Sequence, residues 1–173
     1  PPVPDESFIT NNIKTKLVSI SSPSKNYTMT AGAPYFWIDA SGGTELFLSD
    51  DDYAAIALPF DFTFYDQIFS TIYLCSNGYL SFTDTAPWDY MNVPFPSGDP
   101  SHTYMIAPFW DDIYPTDGGY INVQSFGSYW VAEWQDIYHI GGPTLLGSFQ
   151  VVLYDTGEIV FNYDYLSYTS SGY

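Results

Sequence analysis

The fold is decided by the stretch SFQVVLYDTGEIVFNY, residues 148–163. Its first half places Phe149, Val151 and Leu153 on one face of a strand, and its second half carries a matching face. The matching residues are Ile159, Phe161 and Tyr163. Asp155-Thr156-Gly157 between the halves is typical of a short hairpin loop with glycine in the left-handed conformation. The stretch therefore predicts two antiparallel strands.

Similar runs recur along the rest of the chain. They are rich in Val, Ile, Tyr, Phe and Trp, and Gly, Pro, Asn or Asp bounds them. They predict strands over 35–38, 45–48, 54–58, 60–64, 68–75, 79–82, 104–109, 120–124 and 129–137. Ser76-Asn77-Gly78 predicts a type I′ hairpin turn, because Asn-Gly readily takes positive φ angles. The predicted fold class is all-β, an antiparallel β-sandwich or jelly roll.

The length of 173 residues fits one domain with a sizeable core. We expect residues 26–173 to form a single β-sandwich domain and residues 1–25 to form an N-terminal arm. No apolar run reaches the roughly 20 residues of a membrane span, so none is expected. The single cysteine, Cys75, lies in an apolar run and is expected to be a buried, inert thiol.

The net charge of −17 is distributed unevenly. The arm holds Lys14, Lys16 and Lys25 against Asp5 and Glu6, a net of +1, which leaves residues 26–173 with −18. Such a balance argues against a nucleic-acid partner and disfavours anionic membrane surfaces. The aromatic content of 20 % argues against intrinsic disorder.

The arm is long enough to form a strand. Ile9, Ile13 and Leu17 share one face, and the many β-branched residues favour a strand over a helix. Given to the open sheet edge of a neighbour, with Lys14 and Lys16 against its acidic surface, the arm would build a homopolymer. Pairing within its own sheet is the alternative, and the sequence leaves both open.

Clustered carboxylates suggest one cofactor, calcium. Calcium takes six to eight oxygen ligands, which acidic loops supply. The candidate ligands are Asp50, Asp51, Asp52, Asp111, Asp112 and Asp117. The alternative is a pair of solvated acidic turns. His102 and His139 lack a second ligand at metal-binding spacing, so no transition-metal site is expected.

No motif predicts an enzyme. Asp155-Thr156-Gly157 matches the aspartic-protease triplet, but the flanking strands require a turn there in any case. Asp111 and Asp112 are adjacent, so on a strand they would point to opposite faces and could not flank one glycosidic bond. The sequence has no Gly-x-Ser-x-Gly nucleophile motif. We therefore expect a non-catalytic protein.

Aromatic residues support an alternative function, carbohydrate binding. Five tryptophans and seventeen tyrosines provide rings on which sugars stack, although most such rings belong to the core of a β-sandwich. Glycans and other surface proteins are therefore possible partners. Asn26-Tyr27-Thr28 is an N-glycosylation sequon, which predicts a glycan on Asn26 in a secreted chain.

Four ordered motifs over residues 58–163 resemble the nidogen-type (NIDO) extracellular β-domain and its prokaryotic surface-protein relatives. They are LPFDFTFY at 58–65, LCSNGYLSF at 74–82, IAPFWDD at 106–112 and FQVVLYDTGEI at 149–159. The resemblance implies an extracellular or cell-surface location. It also implies a non-catalytic role in matrix or surface assembly. Repeated head to tail, donation of the arm would make such an assembly a surface filament.

Overall fold

The computed structural model describes residues 15–20, 27–31, 35–86, 90–142 and 144–167. They form two antiparallel sheets packed face to face, and they contain no α-helix. The predicted all-β sandwich is therefore confirmed. Among these residues, no helix is long and apolar enough to cross a membrane.

Eleven strands make the two sheets. The large sheet comprises β1 (Thr15–Ile20), β2 (Tyr27–Ala31), β3 (Thr44–Glu45), β8 (Tyr120–Ser125), β9 (Tyr129–Tyr138), β10 (Leu145–Tyr154) and β11 (Ile159–Leu166). The small sheet comprises β4 (Tyr53–Phe64), β5 (Gln67–Cys75), β6 (Leu80–Ser81) and β7 (Met105–Ile106). The seven-stranded sheet has the order β2-β1-β11-β10-β9-β8-β3, and the four-stranded sheet has the order β4-β5-β6-β7. Two 3-10 helices span Pro100–His102 and Pro115–Asp117.

The hairpin predicted for residues 148–163 is confirmed as β10 and β11. Leu153 pairs with Ile159, and the amide of Tyr154 donates to the carbonyl of Glu158 across 3.0 Å. Gly157 closes the loop at φ 87°, which residues with a side chain rarely adopt. The Asp-Thr-Gly triplet is thus a turn.

The main core lies between the two sheets. The faces predicted from alternation meet there, and the Trp134 and Phe149 rings stack with centroids 4.9 Å apart. Fully burying a large apolar side chain contributes about 1.5–3 kcal/mol, so this layer supplies most of the driving force for folding. Its buried members on β9 and β10 are Trp130, Ala132, Trp134, Phe149, Val151 and Leu153.

Several predicted strands have other bounds in the structure. The segments 54–58 and 60–64 form one long strand, β4, whose register with β5 shifts between Ala57 and Phe62. Pro59 lies inside this irregular part, where its missing N–H breaks no ladder hydrogen bond. The predicted strands at 45–48, 79–82 and 104–109 shorten to the two-residue strands β3, β6 and β7.

The prediction of a strand at 35–38 is wrong. Residues 35–43, which we call the strap, lie between β2 and β3 in the chain. These two strands form the opposite edges of the large sheet. The strap therefore crosses the outer face of that sheet instead of joining its ladder. It covers a small apolar cluster in which Ala40 packs with Val131 and Val152.

A row of polar side chains holds the strap. Glu133, Gln150 and Asn162 lie directly opposite one another on β9, β10 and β11. The Asn162 amide donates to the Phe36 carbonyl (2.8 Å), the Gln150 amide both donates to and accepts from the Ile38 backbone (3.0 Å each), and the Glu133 carboxylate accepts from the Ala40 amide (3.3 Å). The backbone hydrogen bonds that a strand neighbour would supply thus come from side chains.

Candidate functional site: the acidic loops around Asn77

The two acidic segments named from the sequence meet at one end of the sandwich. Asp50–Asp52 leads into β4, and the turn after β5 begins at Ser76, directly beside it because Tyr53 pairs with Cys75. The Ser76 amide donates to the Asp52 carbonyl (2.9 Å), and the Ser76 hydroxyl accepts from the Asp52 amide (3.1 Å). The register of two strands therefore fixes the first acidic loop.

Asn77 joins that loop to the second acidic segment. Its side chain is fully buried, donates to the Asp51 carboxylate at 2.7 Å and accepts from the Ile113 amide at 3.0 Å. Its backbone carbonyl also accepts from the Asp111 amide at 3.3 Å. The Asn77 side chain, which we call the clip, therefore joins Asp50–Asp52 to Asp111–Ile113, two segments that are distant in sequence.

Gly78 permits this close approach. It has φ 79°, and a Cβ on it would stand 2.0 Å from the Phe109 carbonyl oxygen. The type I′ prediction for this turn is wrong, because among the described residues Asn77 is not one of those with positive φ. A three-residue loop, 76–78, with the left-handed position at Gly78 replaces it. Asn77 thereby keeps its amide for the two acidic segments.

The six predicted metal ligands are not equivalent. Asp112 is buried, Asp52 and Asp111 are half-buried, and Asp50, Asp51 and Asp117 are exposed. Asp52 is occupied by local bonds, since its carboxylate accepts from the amide and hydroxyl of Ser49. Asp117 ends the second 3-10 helix, and its charge is not among those that act on Asp112. The remaining four aspartates lie near one another.

Negative charge accumulates around Asp112. Burial raises the pKa of its carboxyl, the charges of Asp50, Asp51 and Asp111 raise this pKa further, and His139 lowers it. Burial and the neighbouring Asp51 likewise raise the pKa of Asp50. The carboxylates therefore repel one another, and a bound cation or proton would relieve the repulsion.

The described residues contain no group of three His, Cys, Asp or Glu side chains placed to hold a metal ion. The calcium site therefore stays a prediction. Sequence reasoning missed His139, which lies beside Asp111 with its Nε2 atom 3.8 Å from Asp111 Oδ1. The isolated bridge between Ile113 and His139 places it there, and no local motif signals that pairing.

The predicted assembly residues fall partly within the described chain. Lys16 and Leu17 lie in β1, which pairs with β11 on one side and β2 on the other. Residues 15–20 therefore pair within their own sheet, the alternative that the sequence left open. Ile9, Ile13, Lys14 and the sequon residue Asn26 lie outside the described residues.

A groove lies at the C-terminal end of β4, away from the acidic loops. The segment 95–105 and the turn after β4 enclose a groove of about 700 Å³. Tyr65 and Phe95 are each 50 % exposed there, and Asp99 and Ser97 add polar groups to its wall. The centroid of the Phe95 ring also lies 6.2 Å from the centroid of the Trp110 ring.

Comparison with known proteins agrees with the motifs. A family model described as NIDO related matches residues 26–172. Neither the curated proteins nor the solved structures gave a significant match. The matched region covers every described strand except β1, and it includes all four motifs quoted from the sequence. The chain therefore belongs to the NIDO-related family.

Proposed function

We propose that the chain is a non-catalytic domain of an extracellular structural or adhesive protein, whose copies associate by strand addition at β4. The family supports the extracellular setting, since NIDO-related domains are typically extracellular β-domains. The open edge of the small sheet supports the mode of association. It is the observation that carries the proposal.

β4 is a long strand with one partner. Its twelve residues pair with β5, and no other strand of the described residues pairs with it. The half from Tyr53 to Leu58 carries no charged side chain, and Ala55 and Ala57 are exposed. Soluble proteins usually protect such an edge with charges, short strands or a covering segment. An uncharged edge of this length suits a strand from another chain.

The proposed occupant is segment 7–14 of a second copy. It contains Ile9 and Ile13 and carries one positive charge, Lys14, toward a domain with a net charge of −18. Eight extended residues span about 26 Å and the half of β4 from Tyr53 to Leu58 spans about 20 Å, so the segment is long enough to cover this half. β1 keeps its place between β2 and β11 in this arrangement, so donation leaves the large sheet of the donor intact.

Sedimentation of designed variants tests the proposal. We expect the full chain to form oligomers that grow with concentration, and we expect deletion of residues 1–14 to leave a folded monomer. Ala55→Lys with Ala57→Lys places two charges on the edge and should have the same effect. Ser70→Lys is the matched control, because Ser70 is exposed on β5, between β4 and β6. Oligomers that survive both changes would overturn the proposal.

Carbohydrate binding in the groove beside Tyr65 and Phe95 is the second candidate function. Two half-exposed rings next to Asp99 and Ser97 combine the stacking surface and polar groups that neutral sugars need. A glycan array tests it. Binding that Phe95→Ala abolishes would support this function, and the control Phe47→Ala, at an 87 % exposed ring elsewhere, should leave binding unchanged. An array without signal would refute it.

A further inference from the structure

The groove beside Tyr65 and Phe95 continues the sheet edge that we propose for strand addition. β4 ends at Phe64, which lines the groove, and Tyr65 in its wall begins the turn that follows. A strand that runs along β4 therefore ends beside the groove at one of its two ends. The direction of the added strand decides which end that is.

Charge complementarity favours an antiparallel strand. With Lys14 of the arm opposite Tyr53, the lysine lies beside the acidic loop Asp50–Asp52 that precedes β4. A parallel strand would instead bring the two acids at positions 5 and 6 of the arm to that loop, where like charges repel. The antiparallel strand takes them past a single acid, Asp61.

The antiparallel direction carries residues 1–4 of the arm to the groove. Val3 precedes Lys14 by eleven residues, and Phe64 follows Tyr53 by eleven, so Val3 falls opposite the last residue of β4. The irregular part of β4 can only shorten this path. Pro1-Pro2-Val3-Pro4, which we call the proline segment, therefore reaches the groove.

The proline segment has the chemistry that aromatic grooves bind. Proline fixes φ near −65° and keeps the preceding residue extended, so this sequence favours the polyproline II conformation. Proline also lacks the N–H that would continue a β ladder. Polyproline II segments dock in grooves lined with aromatic rings.

Two rings of the groove are held ready for such a ligand by other rings. The Phe95 ring meets the His102 ring edge-on, with centroids 6.3 Å apart. The Tyr65 ring meets the rings of Phe64 and Tyr27 edge-on, at 4.7 and 4.9 Å. Since half of Phe95 and half of Tyr65 stay exposed, both rings offer a fixed surface for stacking.

Tyr65 keeps its position at a conformational cost. It has φ 46° and Asp66 has φ 64°, so both residues of the β4–β5 turn are left-handed. Turns of this kind normally use Asn and Gly, because a bulky side chain disfavours the left-handed region. Backbone strain clusters at ligand-binding sites, and here it leaves the tyrosine ring exposed in the groove.

The polar groups of the groove favour the arm over a sugar as its occupant. Asp99 Oδ1 accepts from the Ser101 amide at 2.8 Å, and Ser97 Oγ lies 2.6 Å from His102 Nδ1. Because these two atoms already have local hydrogen bonds, the aromatic rings are the main groups open to a ligand.

We infer that the groove of one copy binds the proline segment of a second copy, whose residues 7–14 run antiparallel along β4. The inference rests on the proposed strand addition and assigns a ligand to the groove at the end of that edge. The proline rings stack on Tyr65 and Phe95, and Lys14 pairs with the acidic loop at the other end. The arm is thereby held at both ends.

Fluorescence anisotropy tests the groove with a labelled peptide of residues 1–14, titrated with the full chain. We expect saturable binding, and binding at least about fivefold weaker for a peptide with Pro2→Ala and Pro4→Ala. This comparison uses the unaltered chain, so it does not depend on the folding of a variant. In the chain, Phe95→Ala should weaken binding of the parent peptide. The matched control Phe47→Ala removes an 87 % exposed ring outside the groove and should not.

NMR spectroscopy tests the direction of the strand. A nitroxide on a Val3→Cys peptide should broaden the signals of Phe95 and Tyr104, which line the groove. Broadening at Asp50–Asp52 instead would overturn the inference, because the strand would then run parallel to β4.

The other contrary results separate this inference from strand addition itself. Equal affinity of the parent and proline-substituted peptides would overturn the inference, as would equal affinity of Phe95→Ala and Phe47→Ala for the parent peptide. If Ala55→Lys with Ala57→Lys still abolished binding in either case, strand addition would stand. A peptide that does not bind the parent chain at all would overturn both proposals.

Discussion

Glu133 shows at the scale of one residue how the large sheet buries an acidic group. It is 1 % exposed, and its carboxylate accepts from the Ala40 amide and from the Gln150 side chain at 3.3 Å each. Burial is the main cause that raises the pKa of Glu133 to about 7, and the charge of Asp39 adds to it. The carboxyl is therefore protonated in the folded chain at pH values where it is ionised in the unfolded chain.

This difference predicts a pH dependence of stability. Between pH 4.5 and about 7 the folded chain holds the Glu133 proton and the unfolded chain has released it, so stability falls as pH rises through this window. The contribution is fully present below pH 4.5 and is lost above about pH 7, for a total of about 3 kcal/mol. Glu133→Gln should flatten this part of the profile and stabilise the chain at pH 8.

Urea denaturation across pH 4–8 measures the effect. Glu45→Gln is the matched control, because it removes the same charge from an exposed position and should keep the slope of the parent. A Glu133→Gln profile parallel to that of the parent would show that the buried carboxyl has its ordinary affinity for protons.

Asn77 holds the two acidic segments together. Asn77→Asp keeps the shape of the side chain but turns the donor that faces Asp51 Oδ1, 2.7 Å away, into a second carboxylate oxygen. A lost buried hydrogen bond with added repulsion should lower the free energy of unfolding by about 2 kcal/mol or more at pH 7. Chemical denaturation measures it, and a change within about 0.5 kcal/mol would contradict the role of Asn77 as the clip.

For single residues, the sequence shows which side chains could take part in a site, but not which of them contact one another in the fold. The acidic ligand candidates 50–52 and 111–112 were identified because clustered carboxylates are visible locally. Their meeting depends on the β4–β5 register and on the buried amide of Asn77, which are long-range. His139 was missed because a single histidine has no spacing signal, and only its bridge to Ile113 brings it to Asp111.

The strap is the element that distinguishes this sandwich. Its backbone is satisfied by side chains of β9, β10 and β11, and its end is fitted against β8 at Gly43. A Cβ on Gly43 would stand 2.1 Å from the Val123 carbonyl oxygen, whereas a Cβ on Gly42 would meet only the Gln124 side chain at 3.5 Å. The two neighbouring glycines therefore differ sharply in the space around them.

This difference predicts opposite outcomes for two similar variants. Gly43→Ala should lower the free energy of unfolding by about 1–3 kcal/mol, because backbone must move to admit the methyl group. Gly42→Ala should change it by less than about 0.5 kcal/mol. Thermal or urea denaturation compares them, and equal stabilities would show that the strap does not lie against β8 as described.

The placement of β1 can be tested with trypsin. All three basic residues precede residue 26, so trypsin has no site after Lys25. Lys16 lies in β1, between β2 and β11, and cleavage after it requires β1 to open. We expect this bond to be cut at least about tenfold more slowly in the folded chain than in a synthetic peptide of residues 7–25. Mass spectrometry follows the cut, and equal rates would contradict the pairing.

Local patterns explain which elements were predictable. The β10–β11 hairpin could be predicted, because the alternation of apolar residues and the turn triplet lie within sixteen residues. The strap was not predictable, because its aromatic and apolar residues 35–38 resemble a strand, while the side chains that bind its backbone on β9, β10 and β11 are 93 to 126 residues away. The buried Val131 and Val152 on the supposed outer face were the available signal, since a sheet covered on both sides loses strict alternation.

On the scale of the whole molecule, charge and sheet edges determine how copies can meet. The net charge of −17 keeps like surfaces apart in general. Association would then require a specific site, and we propose the uncharged half of β4 for it because backbone groups rather than side-chain charges would make the contact. The family assignment agrees with an extracellular β-domain. A structural role for that domain, with strand addition as its mechanism, is what we propose.

Disulfide cross-linking between two variants tests strand addition most directly. The native thiol does not compete, because Cys75 is fully buried and burial raises its pKa to about 11. One preparation carries Ile9→Cys or Ile13→Cys in the arm, and the other carries Ala55→Cys or Ala57→Cys on β4. A disulfide forms only where the two Cα atoms approach within about 7 Å. Strand addition predicts that mixing arm and edge variants gives mixed dimers in high yield, while Ser70→Cys in place of the edge variant gives few. Equal yields with Ser70→Cys, or no mixed dimers from any arm and edge pair, would contradict it.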